Sequence, residues 1–221
     1  MTRGAAPRQQ TRRAEREFVV SSQRERLIDA MAEACAEKGY RATSVADVVA
    51  GARVSRATFY ELFHDKEDCF LAAYDTILAQ FLGKVIGAYQ QDATWAQRIR
   101  FGLETILRFG ASEPAFARMC LIEVLAAGPA AVERYQGGVR VVAALVDEGQ
   151  DFAEAGRRLP PRVGRAVVGG GVALVRDELI AGRAERLPEL LPDLLYTTLV
   201  PYLGHEGALL EMRAARDDLA P

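Results

Sequence analysis

The stretch VSRATFYELFHDKEDCF, residues 54–70, concentrates hydroxyl, charged and aromatic side chains in 17 positions. A helix of about seven residues that begins after Ser55 would offer its N-terminus and one side to a DNA major groove. Arg56 can fork onto a guanine edge or clamp a phosphate, and Ala57 and Thr58 are small enough to meet a thymine methyl group. The types and spacing of these residues indicate contact with a nucleic acid.

Further polar side chains nearby suit the oxygens of a phosphate backbone. Tyr60 has a hydroxyl at the tip of its ring, and Lys66 begins the next helix, where free backbone N–H groups attract anions. The predicted DNA contacts are Thr43, Ser44, Ser55, Arg56, Ala57, Thr58, Tyr60, His64 and Lys66. Three apolar residues of the stretch, Phe59, Leu62 and Phe63, are expected to pack inside instead.

The elements that must position these residues are helices. Between residues 21 and 38 the apolar residues recur with a period of 3.6, which predicts a helix that starts at Ser21 or Ser22. Gly39 is expected to end this helix in the left-handed conformation. Ser44, with an acid three residues later, predicts a capped short helix, and Ser55 predicts the next one. A longer helix followed by two short ones across a tight turn is a helix-turn-helix layout.

The rest of the chain predicts five or six more helices, separated by proline and glycine. Breaks are expected at Ser112-Glu113-Pro114, Gly128-Pro129, Leu159-Pro160-Pro161 and Leu187-Pro188, and the last helix is expected to end near Gly204. We find no run of strand-like alternation and no internal repeat. The predicted fold class is all-α, with an N-terminal three-helix head and a C-terminal body of six or seven helices.

Charge is unevenly distributed along the 221 residues. Residues 1–66 contain 12 Lys and Arg against 9 Asp and Glu, whereas the remainder contains 16 against 21. Residues 1–21 contain five arginines and two glutamates, which predicts a basic arm. The arm either inserts into a minor groove or is disordered. A basic head on an acidic body is typical of a DNA-binding protein with a regulatory domain.

Several classes of protein are disfavoured by composition. Three widely spaced cysteines, no CxxC and two histidines support neither a disulfide framework nor a zinc site, so we expect no metal and no cofactor. The longest apolar run, residues 166–175, is too short to cross a bilayer, and the N-terminus has no secretory h-region. We therefore expect a cytoplasmic protein that has no membrane partner.

The motif ATSVADVVAGARVSRATFYELFHDKEDCF resembles the N-terminal signature of the tetracycline-repressor (TetR) family of bacterial transcription factors. The matching pieces are Gly39-Tyr40, Thr43-Ser44, Ala52, Val54-Ser55, Thr58-Phe59-Tyr60, Phe63 and Lys66-Glu67. The resemblance extends from about Arg24 to Phe70. Arg53 departs from it, since the family usually has glycine in this turn, and a non-glycine residue implies either a strained positive φ or a different turn.

The resemblance implies a homodimer of nine or ten helices that pairs through its last two long helices. It implies binding to palindromic double-stranded operator DNA, and release by a largely apolar small-molecule effector held in the body. The expected domains are a flexible basic arm (1–20), a helix-turn-helix DNA-binding domain (21–68) and a ligand-binding and dimerisation domain (69–215). The sequence identifies neither the effector nor the operator, and it does not decide between repression and activation.

Candidate effector contacts are large, polarisable or charged side chains on apolar helices of the body. They are Phe81, Tyr89, Trp95, Phe116, Met119, Cys120, Glu123, Tyr135, Phe152 and Arg176. Glu123 and Arg176 stand out because a charge within an apolar helix is costly unless it is paired. They could pair with each other, bind a polar group of the ligand, or point to water.

Two further features of the body bear on assembly. The run Gly169-Gly170-Gly171 is unusual inside an apolar helix, because each glycine costs about 1 kcal/mol relative to alanine. It indicates close helix packing at a dimer seam, room for a ligand, or a helix break. The leucines of residues 187–199 indicate either ordinary core or a helix that pairs with its symmetry mate.

Two other functions are compatible with this sequence. The protein could bind DNA without needing an effector, as architectural proteins do. It could also be an enzyme that acts on a small molecule in the body, although it lacks a glycine-rich phosphate loop and a nucleophile elbow. We identify no catalytic residue and expect no enzyme activity.

Overall fold

The computed structural model describes residues 6–153 and 158–217, with side chains described for residues 14–153 and 158–216. This part of the chain consists of helices, turns and short connections, without a β-strand. The chain divides into two compact units, residues 1–74 and 75–221. The all-α class with an N-terminal helical head, predicted from the sequence, is confirmed.

The head contains three helices and the start of a fourth: α1 (Ala6–Ala42), α2 (Val45–Ala52), α3 (Arg56–Leu62) and α4 (Lys66–Tyr89). Helix α1 begins well before the predicted start at Ser21 or Ser22, so that prediction is wrong. Residues 14–20 are exposed, and a helix without a buried stripe leaves no apolar period in the sequence. Of the predicted basic arm, residues 1–5 and the side chains of residues 6–13 lie outside the described part.

Local capping hydrogen bonds set the boundaries of the two short helices. Ser44 and Asp47 form a capping box at α2, in which Ser44 N donates to Asp47 Oδ2 (2.8 Å) and Asp47 N donates to Ser44 Oγ (3.3 Å). At α3, Thr58 N donates to Ser55 Oγ at 2.9 Å. Both caps were predicted from the sequence and are confirmed.

The junction of α1 and α2 differs from its prediction at Gly39. This glycine has a positive φ of 79°, but its ψ of 158° is not that of the left-handed helix. Its carbonyl accepts from both Thr43 N (3.1 Å) and Thr43 Oγ1 (2.9 Å). These two bonds stabilise a wider turn, so the chain does not adopt the simple left-handed cap.

Lys66 ties this junction to the start of α4. Its Nζ donates to Tyr40 O at 2.9 Å and to Thr43 O at 3.0 Å, and it lies 4.1 Å from the centre of the Tyr40 ring. The two carbonyls belong to the end of α1 and the residue that follows it, where no helical N–H remains to satisfy them. One side chain therefore holds together three helix ends of the head.

The body continues α4 with five further α-helices in the described residues: α5 (Trp95–Ser112), α6 (Pro114–Leu121), α7 (Pro129–Asp147), α8 (Val163–Ile180) and α9 (Leu191–Asp217). Short 3-10 helices occupy Glu123–Ala126, Glu148–Phe152 and Ala184–Leu190. Pro114 and Pro129 lie in the first turn of their helices, where a missing N–H costs nothing. Helix α9 extends beyond its predicted end near Gly204, which interrupts it with φ 70° and ψ 179°.

The core of the body is built around Trp95 and the last helix. Trp95 is 2% exposed and meets Tyr202 edge-on at 5.1 Å between ring centres. Leu191, Leu194 and Leu195 are buried in the same cluster. The leucines of residues 187–199 therefore include ordinary core of their own chain, the first of the two possibilities that the sequence leaves open.

Helix α4 meets a length and composition test for a membrane span, with a mean hydropathy of 1.4 over its most apolar 18 residues. The core helix of a globular protein meets the same test. Phe70, Tyr74 and Val85 of α4 are buried within the fold, and one helix of this composition is weak evidence for a membrane span.

Gly149 lies at a tightly packed point of the body core. A Cβ at this position would lie 2.6 Å from Trp95 Cη2 and 2.7 Å from Tyr202 Cδ1. We expect Gly149→Ala to destabilise the protein by about 1–3 kcal/mol, because two buried rings have no room to move. The matched control is Gly87→Ala, which meets nothing within 4 Å and should stabilise α4 by about 0.5–1 kcal/mol. Equal melting temperatures for the two variants would contradict this packing.

Lys66→Met should lower the melting temperature of the protein. The substitution keeps most of the apolar stem and removes the donors to Tyr40 O and Thr43 O. A hydrogen bond from a charged donor contributes about 1.5–3 kcal/mol, so we expect a loss of at least that order. The control is Lys38→Met, which breaks an exposed pair with Asp47 and should change the melting temperature little. If both variants melt like the wild type, Lys66 does not hold the head together.

Candidate nucleic-acid interface and ligand-binding body

Helix α3 separates buried from exposed side chains as the sequence predicts. Phe59 and Phe63 are 0% and 3% exposed, with ring centres 5.8 Å apart. Tyr60 is 48% exposed, and Arg56 lies one turn before it on the exposed side. The two buried rings anchor the helix, and its opposite face is left to solvent.

Arg56 and Tyr60 form a loose pair on that face. The Arg56 guanidinium lies 5.7 Å from the centre of the Tyr60 ring, and its Nη2 is 3.5 Å from Tyr60 Oη. These contacts are exposed and long, so both groups can turn to another acceptor at little cost. Ala57 is also exposed, and a small side chain here lets a flat surface approach the backbone.

The N-terminus of α3 is capped from within. Ser55 Oγ lies 2.9 Å from Thr58 Oγ1 and also accepts from Thr58 N. Both hydroxyls keep unused hydrogen-bonding capacity, since each oxygen has one donor and two acceptor sites. Ser55 is exposed and Thr58 half-buried, so the structure puts both at the end of α3 that carries Arg56.

Thr43 does not fit its predicted role as a DNA contact. It is only 2% exposed, and its hydroxyl donates to Gly39 O. Thr43 is therefore part of the packed interior of the head. Its neighbour Ser44 is exposed, although its hydroxyl donates to Asp47 Oδ2 at 2.6 Å within the capping box.

The remaining predicted contacts lie at the entry to α4. The side chain of His64 is 92% exposed, with Nδ1 at 3.3 Å from Asp65 Oδ2. Lys66 is half-buried and already donates to two carbonyls, which leaves one N–H for a phosphate. The sequence did not reveal this double use of Lys66, because the carbonyls come from residues more than 20 positions away.

Carboxylates of the head are held ionised. Hydrogen bonds from Lys38 and Ser44 keep the pKa of Asp47 well below its ordinary value. The pKa of Asp65 is lowered by hydrogen bonds from the Asp68 backbone N–H and from the His64 side chain. Both acids are thus occupied as helix caps, where negative charge is favourable.

The turn between α2 and α3 contains Arg53 in the left-handed conformation, with φ 53° and ψ 46°. Arg53 N donates to Ala50 O and Val54 N donates to Val49 O, both at 3.2 Å. This pair of bonds is a Schellman motif, whose left-handed position glycine usually occupies. Of the two possibilities left open by the sequence, a positive φ at Arg53 is confirmed.

In the body, several of the predicted effector contacts make hydrogen bonds or ring contacts within the chain. Tyr89 and Trp95 belong to the core: Tyr89 Oη donates to Glu148 Oε2 (2.7 Å) and Leu145 O (3.1 Å), and Trp95 Nε1 donates to Leu145 O (3.3 Å). Burial and the Glu148 carboxylate raise the pKa of Tyr89. Phe152 stacks on Trp95 with ring centres 5.9 Å apart. Tyr89 and Trp95 are buried, whereas Phe152 is 52% exposed.

Other candidates of the body are dispersed along its helices. Phe81 on α4 packs against Phe109, with ring centres 5.5 Å apart. Met119 is 0% exposed, whereas Phe116, Cys120 and Glu123 are half-buried. Burial raises the pKa of the Cys120 thiol to about 12, so this thiol stays protonated. The spacing of residues along one helix does not indicate which faces of different helices contact each other in the fold.

Arg176 and Tyr135 are brought together from α8 and α7. Arg176 Nη2 is 3.4 Å from Tyr135 Oη, which is a weak hydrogen bond. Arg176 Nε is buried and has no hydrogen-bond partner among the described residues. A cation with an unused buried donor is suited to an acidic group from another molecule.

A shallow open groove of about 290 Å³ lies between α4 and α5, lined by Ala88, Gln91, Phe101, Glu104 and Thr105. None of the predicted effector contacts lines it. No group of three or more His, Cys, Asp or Glu side chains that could bind a metal ion occurs among the described residues.

Comparisons with known proteins agree with this geometry. Residues 27–73 match the family model described as bacterial regulatory proteins, tetR family. The chain is 35% identical over 100 residues to the transcriptional regulator AcuR of Cereibacter sphaeroides, a match that covers 43% of this chain and 44% of that protein. The chain thus spans less than half the length of this curated relative.

Solved structures share the fold over most of the chain. The regulator FadR from Bacillus subtilis, in complex with stearoyl-CoA, has a TM-score of 0.70 at 20% identity, covering 81% of this chain and 98% of that one. FadR from Bacillus halodurans has a TM-score of 0.70 at 18% identity, covering 80% and 94%. Residues 27–73 thus match the bacterial tetR family, and the chain shares the fold of these two solved regulators.

Proposed function

We propose that this protein is a repressor that binds a palindromic operator as a homodimer and is released by a small-molecule effector. The observation that carries the proposal is α3, a short capped helix that buries Phe59 and Phe63 and exposes Arg56 and Tyr60. Arg56 contacts base edges, and Tyr60, Ser44, Ser55, His64 and the third N–H of Lys66 contact phosphates. As in other soluble regulators of this kind, the site of action is the cytoplasm.

The homodimer forms through α8 and α9. Gly169 and Gly170 on α8 have no atom within 4 Å of the position of an added Cβ, so a partner helix can approach closely there. Leu174 and Ile180 on α8 and Leu210 on α9 are 42%, 62% and 70% exposed. Covering such side chains favours association. Gly171, in contrast, faces its own chain, 3.3 Å from Leu194 Cδ2.

Selection from a pool of random DNA duplexes by the purified protein tests DNA recognition. We expect a pseudo-palindrome whose half-sites lie one helical turn, about 34–36 Å, or a multiple of it apart. Arg56→Ala should relax base preference in one position of each half-site, at a cost of about 1–3 kcal/mol. Tyr60→Phe should weaken binding to all duplexes to a similar extent, since phosphate contacts carry no sequence information.

Sedimentation of the complex gives its stoichiometry, which we expect to be two chains on each selected duplex. A single chain on an asymmetric site would contradict the homodimer. Selection of no sequence at all, despite tight binding to DNA, would favour an architectural protein instead. Chemical turnover of a bound small molecule by the wild type would favour an enzyme.

The effector, in our proposal, is largely apolar and has one acidic group that binds Arg176. Three facts support this assignment: the unpaired buried Nε, the weak bond to Tyr135, and the apolar helical run VALVRDELI around the arginine. In this fold, the FadR of Bacillus subtilis holds stearoyl-CoA, a ligand with a long apolar chain and acidic groups. The match shows a fold only, so the ligand class of this protein needs its own test.

Thermal unfolding tests whether the effector has an acidic group that binds Arg176. The melting temperature is measured with straight-chain carboxylates, with alcohols of the same chain length and with acyl-CoA thioesters. A ligand at a hundredfold excess over its Kd stabilises a protein by about 2.7 kcal/mol. We expect a carboxylate or thioester to raise the melting temperature of the wild type but not of Arg176→Met, and Arg176→Lys to recover part of the shift. If an alcohol stabilises both proteins equally well, the arginine does not bind the effector.

A further inference from the structure

Arg53 is the one non-glycine residue with a positive φ among the described residues. Its backbone occupies the left-handed position of the Schellman motif at the end of α2, between the hydrogen bonds of Arg53 N and Val54 N. A side chain here is costly, because Cβ comes too close to the neighbouring carbonyl oxygen. Glycine would form the same two hydrogen bonds without that strain.

The folded chain does not use the side chain that causes this strain. Arg53 is exposed, and its guanidinium has no hydrogen bond or ion pair with any residue that the structure describes. Two acidic residues of the head are bound to other partners, Asp47 to Lys38 and Ser44, and Asp65 to the Asp68 backbone. Strained residues of this kind cluster at sites that bind something else.

The position of Arg53 indicates what it binds. It lies two residues before the N-cap Ser55 and three before Arg56, in the turn that leads into the N-terminal end of α3. Arg53 and Arg56 are both exposed, so two guanidinium groups lie within four positions of the chain at the start of α3. Guanidinium groups bind phosphate oxygens in a bidentate manner, with two parallel N–H···O bonds.

We propose that Arg53 is an additional DNA contact, a phosphate clamp that reaches from the helix-turn-helix turn itself. The inference rests on the proposed DNA-binding function. Arg53 contributes affinity and salt dependence, because neutralising a phosphate releases condensed counterions. It contributes no base preference, since a phosphate is the same at every position. The strain of the turn is thus retained for a bond that forms only on DNA.

The test compares stability and DNA binding in the same variants. Binding is measured by fluorescence anisotropy on a 30-base-pair duplex of mixed sequence, over a range of KCl concentrations. Arg53→Gly should raise the melting temperature by about 2–4 °C, because the strain disappears. The same variant should bind about tenfold more weakly, with a salt slope smaller by about 0.9. A gain in stability with a loss of binding is not expected from a general defect in folding.

Three further variants separate charge from conformation. Arg53→Asn tolerates the left-handed conformation but is neutral, and it should lose the same slope as Arg53→Gly. Arg53→Lys keeps one positive charge and should keep the slope of the wild type. The matched control, Arg108→Asn, removes an exposed arginine from α5 of the body and changes the net charge equally. It should bind DNA like the wild type.

The outcomes distinguish this inference from the proposed function. If the wild type fails to bind the duplex, DNA binding by this protein is refuted as a whole. If the wild type binds and Arg53→Gly has the same affinity and slope, only the clamp is overturned. The clamp is also overturned if Arg53→Lys loses as much binding as Arg53→Gly, or if Arg108→Asn loses the same slope.

Discussion

An isolated helix of seven residues is not stable in water, and α3 has seven residues. Its conformation must come from its caps and its neighbours, and the head supplies both. Ser55 Oγ accepts from the free N–H of Thr58, and the burial of Phe59 and Phe63 fixes the rotation of the helix. The exposed face that carries Arg56 and Tyr60 is therefore a consequence of this constraint, and the rest of the head is arranged to meet it.

Lys66 shows how this constraint extends beyond α3. Its ammonium group satisfies carbonyls at the end of α1 and just before α2, while its own backbone begins α4. The residue that immediately follows the α3–α4 connection thus joins the ends of three helices. A side chain with three donors can do this and still keep one for another acceptor. In the proposed function, Lys66 combines this structural role with a phosphate contact, which limits the residues that can replace it.

The helical head could be predicted because its signals are local. The caps at Ser44 and Ser55 and the prolines of α6 and α7 act within one turn of the backbone, so residue types and spacing suffice to predict them. The start of α1 was missed, because an exposed helix lacks an apolar period. The partners of Tyr89 and Trp95 could not be predicted, since these residues contact Leu145 and Glu148 across more than 40 positions.

The sequence by itself determined the helical class, the short helices of the head and the division of α3 into an inner and an outer face. It did so because capping and amphipathic period depend on residues three or four positions apart. Only the tertiary structure decided that Thr43 is buried, that Lys66 binds two carbonyls, and that the leucines of α9 pack within their own chain. Each of these depends on which distant backbone or side chain fills the space nearby, and helical periodicity contains no information on that choice.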